Sequence, residues 1–334
     1  MIRERAARLF RTAPARAVAP LAIVLLVGAI FHENGAFYRW STHRAVLREI
    51  SVHGILACGM TIVILAGGID LSVGSVLGLS AVAFALFTMP LGLPAPVAVA
   101  GVLAIGALLG ATSGFFVARH RVQPFVVTLA MMVFARGLAK LLSGGKKVTA
   151  YTALDGTTAA VRELPGIFRA LDAKILDGNL SVVTVVLLAC AAVTWVVLRR
   201  LRAGRYIYAT GGSREAAELS GVPVVRTLIF AYSMAGLFSA IAGICQAAQE
   251  THGDPETGGG YELDAIAMVV LGGTALSGGR GGIGLTLLGA LTMGYLQKIL
   301  SLNAFQTEVR LMLTGAILLF AVLFQKRLGS EGQK

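Results

Sequence analysis

Asp70 is the residue whose type and setting most strongly indicate chemistry. It lies in AGGIDLSVGSVLG, residues 66–78, within a long run of apolar and small residues. A charge at the centre of a bilayer costs roughly 2.5–3.5 kcal/mol on insertion scales. Two interpretations are open. Asp70 caps a helix by accepting hydrogen bonds from free amides near Ser72 and Val73, or a broken helix exposes it with Ser72 to a polar solute.

Glycines precede Asp70 and recur later in the chain. Gly67 and Gly68 lack a Cβ, so the backbone can turn sharply or pack closely there. GGIDLSVG at 67–74 aligns with GGTALSGG at 272–279 at an offset of 205, which suggests a duplicated half. Ala275 then corresponds to Asp70, so this alignment predicts that the turn itself does not require a charge. The candidate path residues are Gly67, Gly68, Asp70, Ser72, Gly272, Gly273 and Asn303.

Other patterns of catalytic chemistry are absent from the sequence. There is no phosphate-binding GxxxxGK followed by Ser or Thr, no HExxH and no GxSxG. The five histidines lack metal-ligand spacing, and three cysteines lie singly in apolar runs. Gly279, Gly281 and Gly284 match GxGxxG, but their flanks are apolar spans rather than a βαβ unit. The sequence predicts a non-enzyme without cofactor or metal.

The composition indicates a membrane protein. Of 334 residues, 56% are hydrophobic and 14% are charged, against about 45–50% and 25% in soluble domains. The mean hydropathy is +0.78. The net charge of +12 comes from basic residues clustered between apolar runs. Orientation in a membrane explains that clustering better than nucleic-acid binding does.

The predicted fold is an all-α polytopic membrane protein with about ten transmembrane helices, each needing about 20 residues. Residues 1–16 form a cytoplasmic N-terminal segment, 17–325 the transmembrane domain with a cytoplasmic loop at about 200–226, and 326–334 a cytoplasmic tail. The predicted spans are 17–33, 48–67, 71–90, 95–118, 123–142, 180–199, 227–249, 263–277, 282–301 and 307–325.

Lys and Arg are concentrated in the segments that this topology places inside the cell, so both termini are predicted to be cytoplasmic. The acidic segment 250–262 is predicted to be an outer loop. The loop 143–179 is an exception, because it carries Lys146 and Lys147 on the outer side. Arg136 lies inside a predicted span and could pair with Asp70. Gly106 and Gly110, four residues apart, predict a close helix contact.

A short polar helix is predicted in the cytoplasmic loop, at SREAAELSG, residues 213–221. Ser213 can cap it, Glu215 and Glu218 suit its positive end, and Gly221 can end it in a left-handed conformation. A two-turn helix is marginal alone, and the membrane domain was expected to offer it little to pack against. It is either an ordinary surface helix or a docking element for a soluble partner.

Three long segments resemble one family. GMTIVILAGGIDLSVGS at 59–75, GRYIYATGGSREAAELSGVPV at 204–224 and YELDAIAMVVLGGTALSGGRGGIGLTLLGAL at 261–291 are similar, in order, to signatures of bacterial ABC importer permeases. The branch is the one that imports ribose, xylose, galactose and similar monosaccharides. The match covers nearly the whole chain after the first span.

This resemblance implies a permease of the bacterial inner membrane that dimerises with itself or a close relative. Two cytoplasmic ABC ATPase subunits hydrolyse ATP, and a periplasmic sugar-binding protein delivers the monosaccharide. The short helix would then lie in a groove of the ATPase and couple ATP-driven closure to alternating access. The implied coupling residues are Ser213, Glu215, Ala216, Ala217 and Gly221.

An ion-coupled secondary transporter or channel for a small polar solute is the alternative. Intramembrane carboxylates relay protons or bind Na⁺ in such proteins, which would account for Asp70. It does not account for the capped helix at 213–221 or for the three matched segments.

Overall fold

The computed structural model describes residues 13–150, 163–306 and the positions 308, 309, 312, 313, 315 and 316. Most of the predicted N-terminal segment, most of the tenth span and the whole C-terminal tail lie outside the described residues. The described helices are α1 (Ala13–Ile30), α2 (Trp40–Leu65), α3 (Val73–Thr88), α4 (Ala95–Arg119), α5 (Pro124–Ser143), α6 (Gly166–Asp172), α7 (Val182–Arg199), α8 (Arg202–Gly212), α9 (Arg214–Leu219), α10 (Val224–Glu250), α11 (Tyr261–Leu271) and α12 (Ile283–Leu302).

The remaining regular elements are small. A 3₁₀ turn at Ala36–Tyr38 links α1 to α2. A two-stranded antiparallel hairpin, β1 (Lys174–Ile175) and β2 (Leu180–Ser181), precedes α7. The chain is thus mostly helical, as predicted.

Six of the described helices are long and apolar enough to cross a membrane: α2, α4, α5, α7, α10 and α12. α3 is apolar but has 16 residues, and α11 has 11, fewer than the roughly 20 residues that a complete span needs. The polytopic class is therefore supported, and the count of ten stays a prediction.

α2 and α10 form the interior of the bundle. Within their apolar windows, 78% of α2 and 67% of α10 are buried, against 22% of α4 and 17% of α5. α10 packs against α2, α3 and α4. The outer faces of α4 and α5 are consequently left for lipid or for another chain.

Small residues allow α4 and α10 to touch backbone to backbone. A Cβ at Gly110 would collide with the carbonyl oxygen of Tyr232, and one at Gly106 would collide with that of Gly236. A Cβ at Gly114 would lie 2.8 Å from the Cα atom of Ile229. The predicted close contact at Gly106 and Gly110 is confirmed.

The connecting segments gather at two opposite ends of the bundle. At one end the amide of Gly279 donates to the carbonyl of Leu65 (3.0 Å), which joins two turns that were predicted to be cytoplasmic. At the other end the indole of Trp40 donates to Asn179 (2.8 Å), joining two predicted outer segments. These contacts agree with the predicted topology, in which successive connecting segments lie at alternate ends of the bundle.

The segment before α11 differs from the predicted outer loop. Residues 251–260 run back along α3, because a Cβ at Gly253 would lie 2.7 Å from the carbonyl oxygen of Ala81. Farther on, Gly258 packs against Gly74, because a Cβ at Gly258 would collide with the carbonyl oxygen of Gly74. Glycine thus lets an irregular segment lie against a helix within the bundle.

The two glycine turns share one helix-capping geometry. At the end of α2, the amide of Gly68 donates to the carbonyl of Val63 (3.0 Å); at the end of α11, the amide of Thr274 donates to that of Val269 (3.2 Å). This bond to the fifth preceding residue is typical of a Schellman cap. The left-handed residues are Gly67 at φ +86° and Gly273 at φ +94°.

The capping geometry corrects the sequence alignment of the turns. Gly67 corresponds to Gly273, an offset of 206 rather than 205. Past the caps the chains diverge, since α3 begins at Val73 whereas Ala275 closes a loop through its amide bond to the Arg280 carbonyl (2.9 Å). Ala275 is therefore not the counterpart of Asp70. The alignment gives no evidence on whether the first turn requires the charge of Asp70.

Gly110→Ala should destabilise the helix pair because its Cβ would meet backbone of α10, and overpacking costs about 1–3 kcal/mol. Gly137→Ala is the matched control: Gly137 lies in α5 with no atom within 4 Å of an added Cβ. Thermal unfolding in detergent should give a lower Tm for Gly110→Ala alone. Equal midpoints for the two variants would contradict the close contact.

Candidate coupling site and path residues

The predicted short helix is present as α9, with the predicted ends. The Ser213 hydroxyl accepts a hydrogen bond from the amide of Ala216 (3.2 Å). Gly221 is left-handed at φ +77°, and the amide of Val222 donates to the carbonyl of Ala217 (3.0 Å). The capping by Ser213 and the termination at Gly221 are confirmed.

One face of α9 is open. Glu215 and Ala216 are exposed, and the side chain of Leu219 is 90% exposed, whereas Ala217 is buried. An apolar side chain this exposed suits a contact with another protein. Leu219 was not among the residues predicted from the sequence, although its position two residues before Gly221 places it in the last turn of a helix with a polar first turn.

The opposite face of α9 is held by the membrane domain. The Glu218 carboxylate contacts Arg214 (3.1 Å) and Arg121 (3.1 Å), a residue of the link between α4 and α5. Arg214 also donates to the carbonyl of Ala118 (3.0 Å) in the last turn of α4, where cations favour the helix dipole. The expectation that α9 would find little to pack against is wrong. Each exposed ion pair adds about 0–1 kcal/mol, so the pairs orient α9 more than they stabilise it.

Glycines join the candidate coupling segment, residues 204–224, to both capped turns, in a contact that we call the glycine junction (Gly67, Gly211 and Gly278). A Cβ at Gly211 would collide with the carbonyl of Leu65. A Cβ at Gly278 would lie 3.0 Å from the Cα atoms of Gly211 and Gly67. Displacement of α8, which carries Gly211, would therefore press directly on the end of α2 at Leu65 and on the turn after α11.

A cavity of about 420 Å³ lies beside the glycine junction. Its walls include Gly67 and Gly68 of the first turn, Ser213 and Arg214 of the coupling segment, and Tyr232 of α10. The coupling segment and the first turn thus meet at glycine and enclose open space next to it.

Asp70 is 1% exposed, and its carboxylate is bonded within its own turn. It accepts hydrogen bonds from the amide (2.8 Å) and the hydroxyl (2.6 Å) of Ser72, the N-cap residue of α3. Arg136 does not pair with it, because the guanidinium donates to the carbonyls of Pro255 and Thr257. The bond to the Ser72 amide agrees with the capping interpretation, whereas Asp70 itself lies two residues before Ser72 and so outside the N-cap position of α3.

The other candidate path residues are divided between the two ends. Gly272 and Gly273 cap α11 at the same end as the first turn. Asn303 lies at the other end, where its amide donates to the carbonyls of Phe31 (3.1 Å) and Ile299 (2.9 Å). The structure brings the glycine turns together and leaves Asn303 apart from them.

The fold is that of a polytopic helical membrane protein with a short capped helix exposed at one end, and comparison with known proteins identifies its class. Residues 44–322 match the model of one family, the permease component of branched-chain amino acid transport systems. The match covers most of the chain, which therefore belongs to this family. The resemblance noted in the sequence is confirmed.

Curated relatives are similar over nearly the full length. The ribose import permease protein RbsC of Escherichia coli (strain K12) is 39% identical over 92% of this chain and 92% of its own. The fructose import permease protein FrcC of Rhizobium meliloti is 35% identical over 92% of this chain and 84% of its own. The autoinducer 2 import system permease protein LsrD of Escherichia coli (strain SMS-3-5 / SECEC) is 35% identical over 81% of this chain and 79% of its own. No solved structure matches the chain significantly.

Gly211→Ala should loosen the coupling segment, because the new Cβ must push the segment away from Leu65. Gly212→Ala is the control, since nothing lies within 4 Å of a Cβ at that neighbouring position. We expect trypsin to cleave the arginine-rich segment 199–226 several times faster in Gly211→Ala than in Gly212→Ala. Equal rates would contradict the glycine junction.

Proposed function

We propose that this chain is the membrane permease subunit of an ATP-driven importer for a monosaccharide, working by alternating access. The family and the relatives that import ribose and fructose support this function. The observation that carries the coupling mechanism is α9, a capped helix whose exposed face bears Leu219. ATP hydrolysis belongs to separate cytoplasmic ATPase subunits.

The coupling residues of this proposal are on and around α9. Glu215 and Ala216 would face the ATPase together with Leu219. Ser213 and Gly221 define the ends of the helix, and Ala217 packs it onto the membrane domain. Force on the exposed face would pass through Glu218 and Arg121 to the link between α4 and α5, and through the glycine junction to α2.

The proposed topology has ten spans, with both termini in the cytoplasm of a bacterium and the protein in its inner membrane. The gathering of alternate connecting segments at opposite ends supports it. A second permease copy or a close relative would complete the pathway, and a periplasmic sugar-binding protein would deliver the substrate at the end that carries Trp40 and Asn179.

The glycine turns would form the cytoplasmic exit of the path. Gly67 and Gly68 line the 420 Å³ cavity, which supports this role. Asp70 and Ser72 would hold the start of α3 beside it, while Gly272 and Gly273 shape the second turn. Asn303 would belong to the outer end, where it ties α12 to the segment after α1.

An ion-coupled transporter is the less favoured function. Its main support in the sequence was a free intramembrane carboxylate, and Asp70 is bonded to Ser72 instead. The relatives named above are import permeases for ribose, fructose and autoinducer 2.

Leu219→Asp should weaken binding of the ATPase, because it replaces an apolar contact with a charge. Leu176→Asp is the control: Leu176 is also exposed, at 69%, but lies in the hairpin loop at the opposite end. We expect at least a tenfold loss of ATPase affinity in co-purification for Leu219→Asp, or about 1.4 kcal/mol. Undiminished recovery of the ATPase would exclude α9 as its docking element.

Uptake in proteoliposomes tests the energy source. With ATPase subunits and binding protein present, accumulation of D-ribose or D-fructose should require ATP and stop with a non-hydrolysable analogue. Ionophores that collapse Na⁺ and H⁺ gradients should leave it unchanged. Uptake that persists without ATP and follows an ion gradient would overturn the proposed function.

A further inference from the structure

The span that contains α11 is discontinuous. Gly253 lies opposite Ala81 and Gly258 opposite Gly74, so the segment advances about 10 Å along α3, at 1.5 Å per helical residue. α11 continues from that point to the glycine turn at the cytoplasmic end. Its first residue, Tyr261, packs against His53, the fourteenth of the 26 residues of α2, and therefore lies inside the bundle, away from both ends of α2.

The helix α5 holds this irregular segment in place. The guanidinium of Arg136 donates to the carbonyl of Thr257 (2.7 Å) and to that of Pro255. Arg136 is seven residues from the end of α5, or about 10 Å along a helix. A guanidinium at this depth satisfies backbone carbonyls that no helix partner reaches, which explains an arginine inside an apolar span.

Two lysines extend the same contact toward the outer end. Lys140 pairs with Glu256 (2.7 Å) and Lys147 pairs with Asp254 (3.1 Å). Asp254 also accepts a hydrogen bond from the amide of Glu256 (2.9 Å), so its carboxylate is held from two sides. Lys147, one of the two lysines that break the positive-inside pattern, is therefore a partner of the acidic segment.

The tip of this segment is open at mid-depth. Gly259 and Gly260 are exposed, and the next helical turn carries Leu263 at 56% exposure. Irregular backbone at membrane depth persists only where protein or a water-filled cavity covers it, since lipid cannot satisfy its polar groups. The open face of the tip cannot be a lipid-facing surface.

Polar side chains surround the tip. Asp264 lies 3.6 Å from the imidazole of His53, and both side chains are about one-fifth exposed. The Tyr261 ring packs against that of His53 at a tilt of 38°, with centroids 4.2 Å apart. Glu262 reaches α3 at Gly74. Carboxylates, an imidazole and an aromatic ring thus meet around bare glycine backbone.

We propose that the tip at 258–264, together with His53, is where the transported monosaccharide binds halfway across the membrane. This inference rests on the proposed function. Sugar hydroxyls both donate and accept hydrogen bonds, so they suit the acceptors Glu262 and Asp264 and the imidazole of His53. Gly259 and Gly260 let a ring approach the backbone. From here the sugar has a short distance to the turn of Asp70, four residues before Gly74.

Cysteine labelling tests whether the tip faces water. In the assembled transporter in proteoliposomes, with Cys58, Cys190 and Cys245 replaced by alanine, Leu263→Cys is compared with Leu108→Cys. Leu108 is 68% exposed near the middle of α4. A charged, membrane-impermeant methanethiosulfonate on both sides should modify Leu263→Cys at least tenfold faster during ATP turnover. Equally slow modification of both would overturn the inference.

Protection tests whether the tip binds sugar. D-ribose or D-fructose, whichever the wild-type complex accumulates, should slow modification of Leu263→Cys at least threefold. Adding Glu262→Gln should abolish this protection, while adding Glu33→Gln, at an exposed residue of the outer end, should preserve it. Protection that survives Glu262→Gln, or that never occurs, would exclude sugar binding by the tip.

The two proposals fail in different ways. If the wild-type complex shows no ATP-driven sugar uptake, the proposed function is wrong. If uptake is normal but Leu263→Cys is inert or unprotected, only the site at the tip is wrong.

Discussion

The fold depends on direct contact between backbones at glycine. Lipid tails are as apolar as leucine, so association of helices in a bilayer relies on close packing more than on a hydrophobic driving force. Along α4, Gly106, Gly110 and Gly114 supply that packing against α10. At the end of the bundle that carries α9, the glycine junction repeats the same contact between three connecting segments. The bundle and its coupling segment are thus parts of one closely packed body.

The elements that could be predicted from sequence are those whose determinants are local. α9 formed where Ser213 and Gly221 indicated, because a cap and a left-handed glycine act within a few residues of the helix end. The close contact at Gly106 and Gly110 was also predictable, since helical spacing alone puts both on one face. The class of protein was predictable as well, because the family resemblance rested on three long segments in the expected order.

The elements that could not be predicted depend on contacts between distant residues. The segment 251–260 has the acidic, glycine-rich composition of a loop, and nothing in its own sequence indicates that Gly258 meets Gly74. The suggested pairing of Arg136 with Asp70 was wrong. A carboxylate is the usual partner of a buried arginine, whereas here the carbonyls of Pro255 and Thr257 accept its hydrogen bonds. The turn alignment erred by one residue because repeated glycines match at either offset, and only the backbone angles decide between them.

Leu219 has a consequence for the life of the subunit in the cell. Its side chain is 90% exposed at the end of the bundle that we place in the cytoplasm, beside a segment rich in arginine. A permease made in excess over its ATPase would display this apolar residue and these cleavable bonds to chaperones and proteases, whereas an assembled one would hide them. Under the proposed function, α9 would thereby also register whether the ATPase has arrived, and so help to balance the amounts of the two proteins.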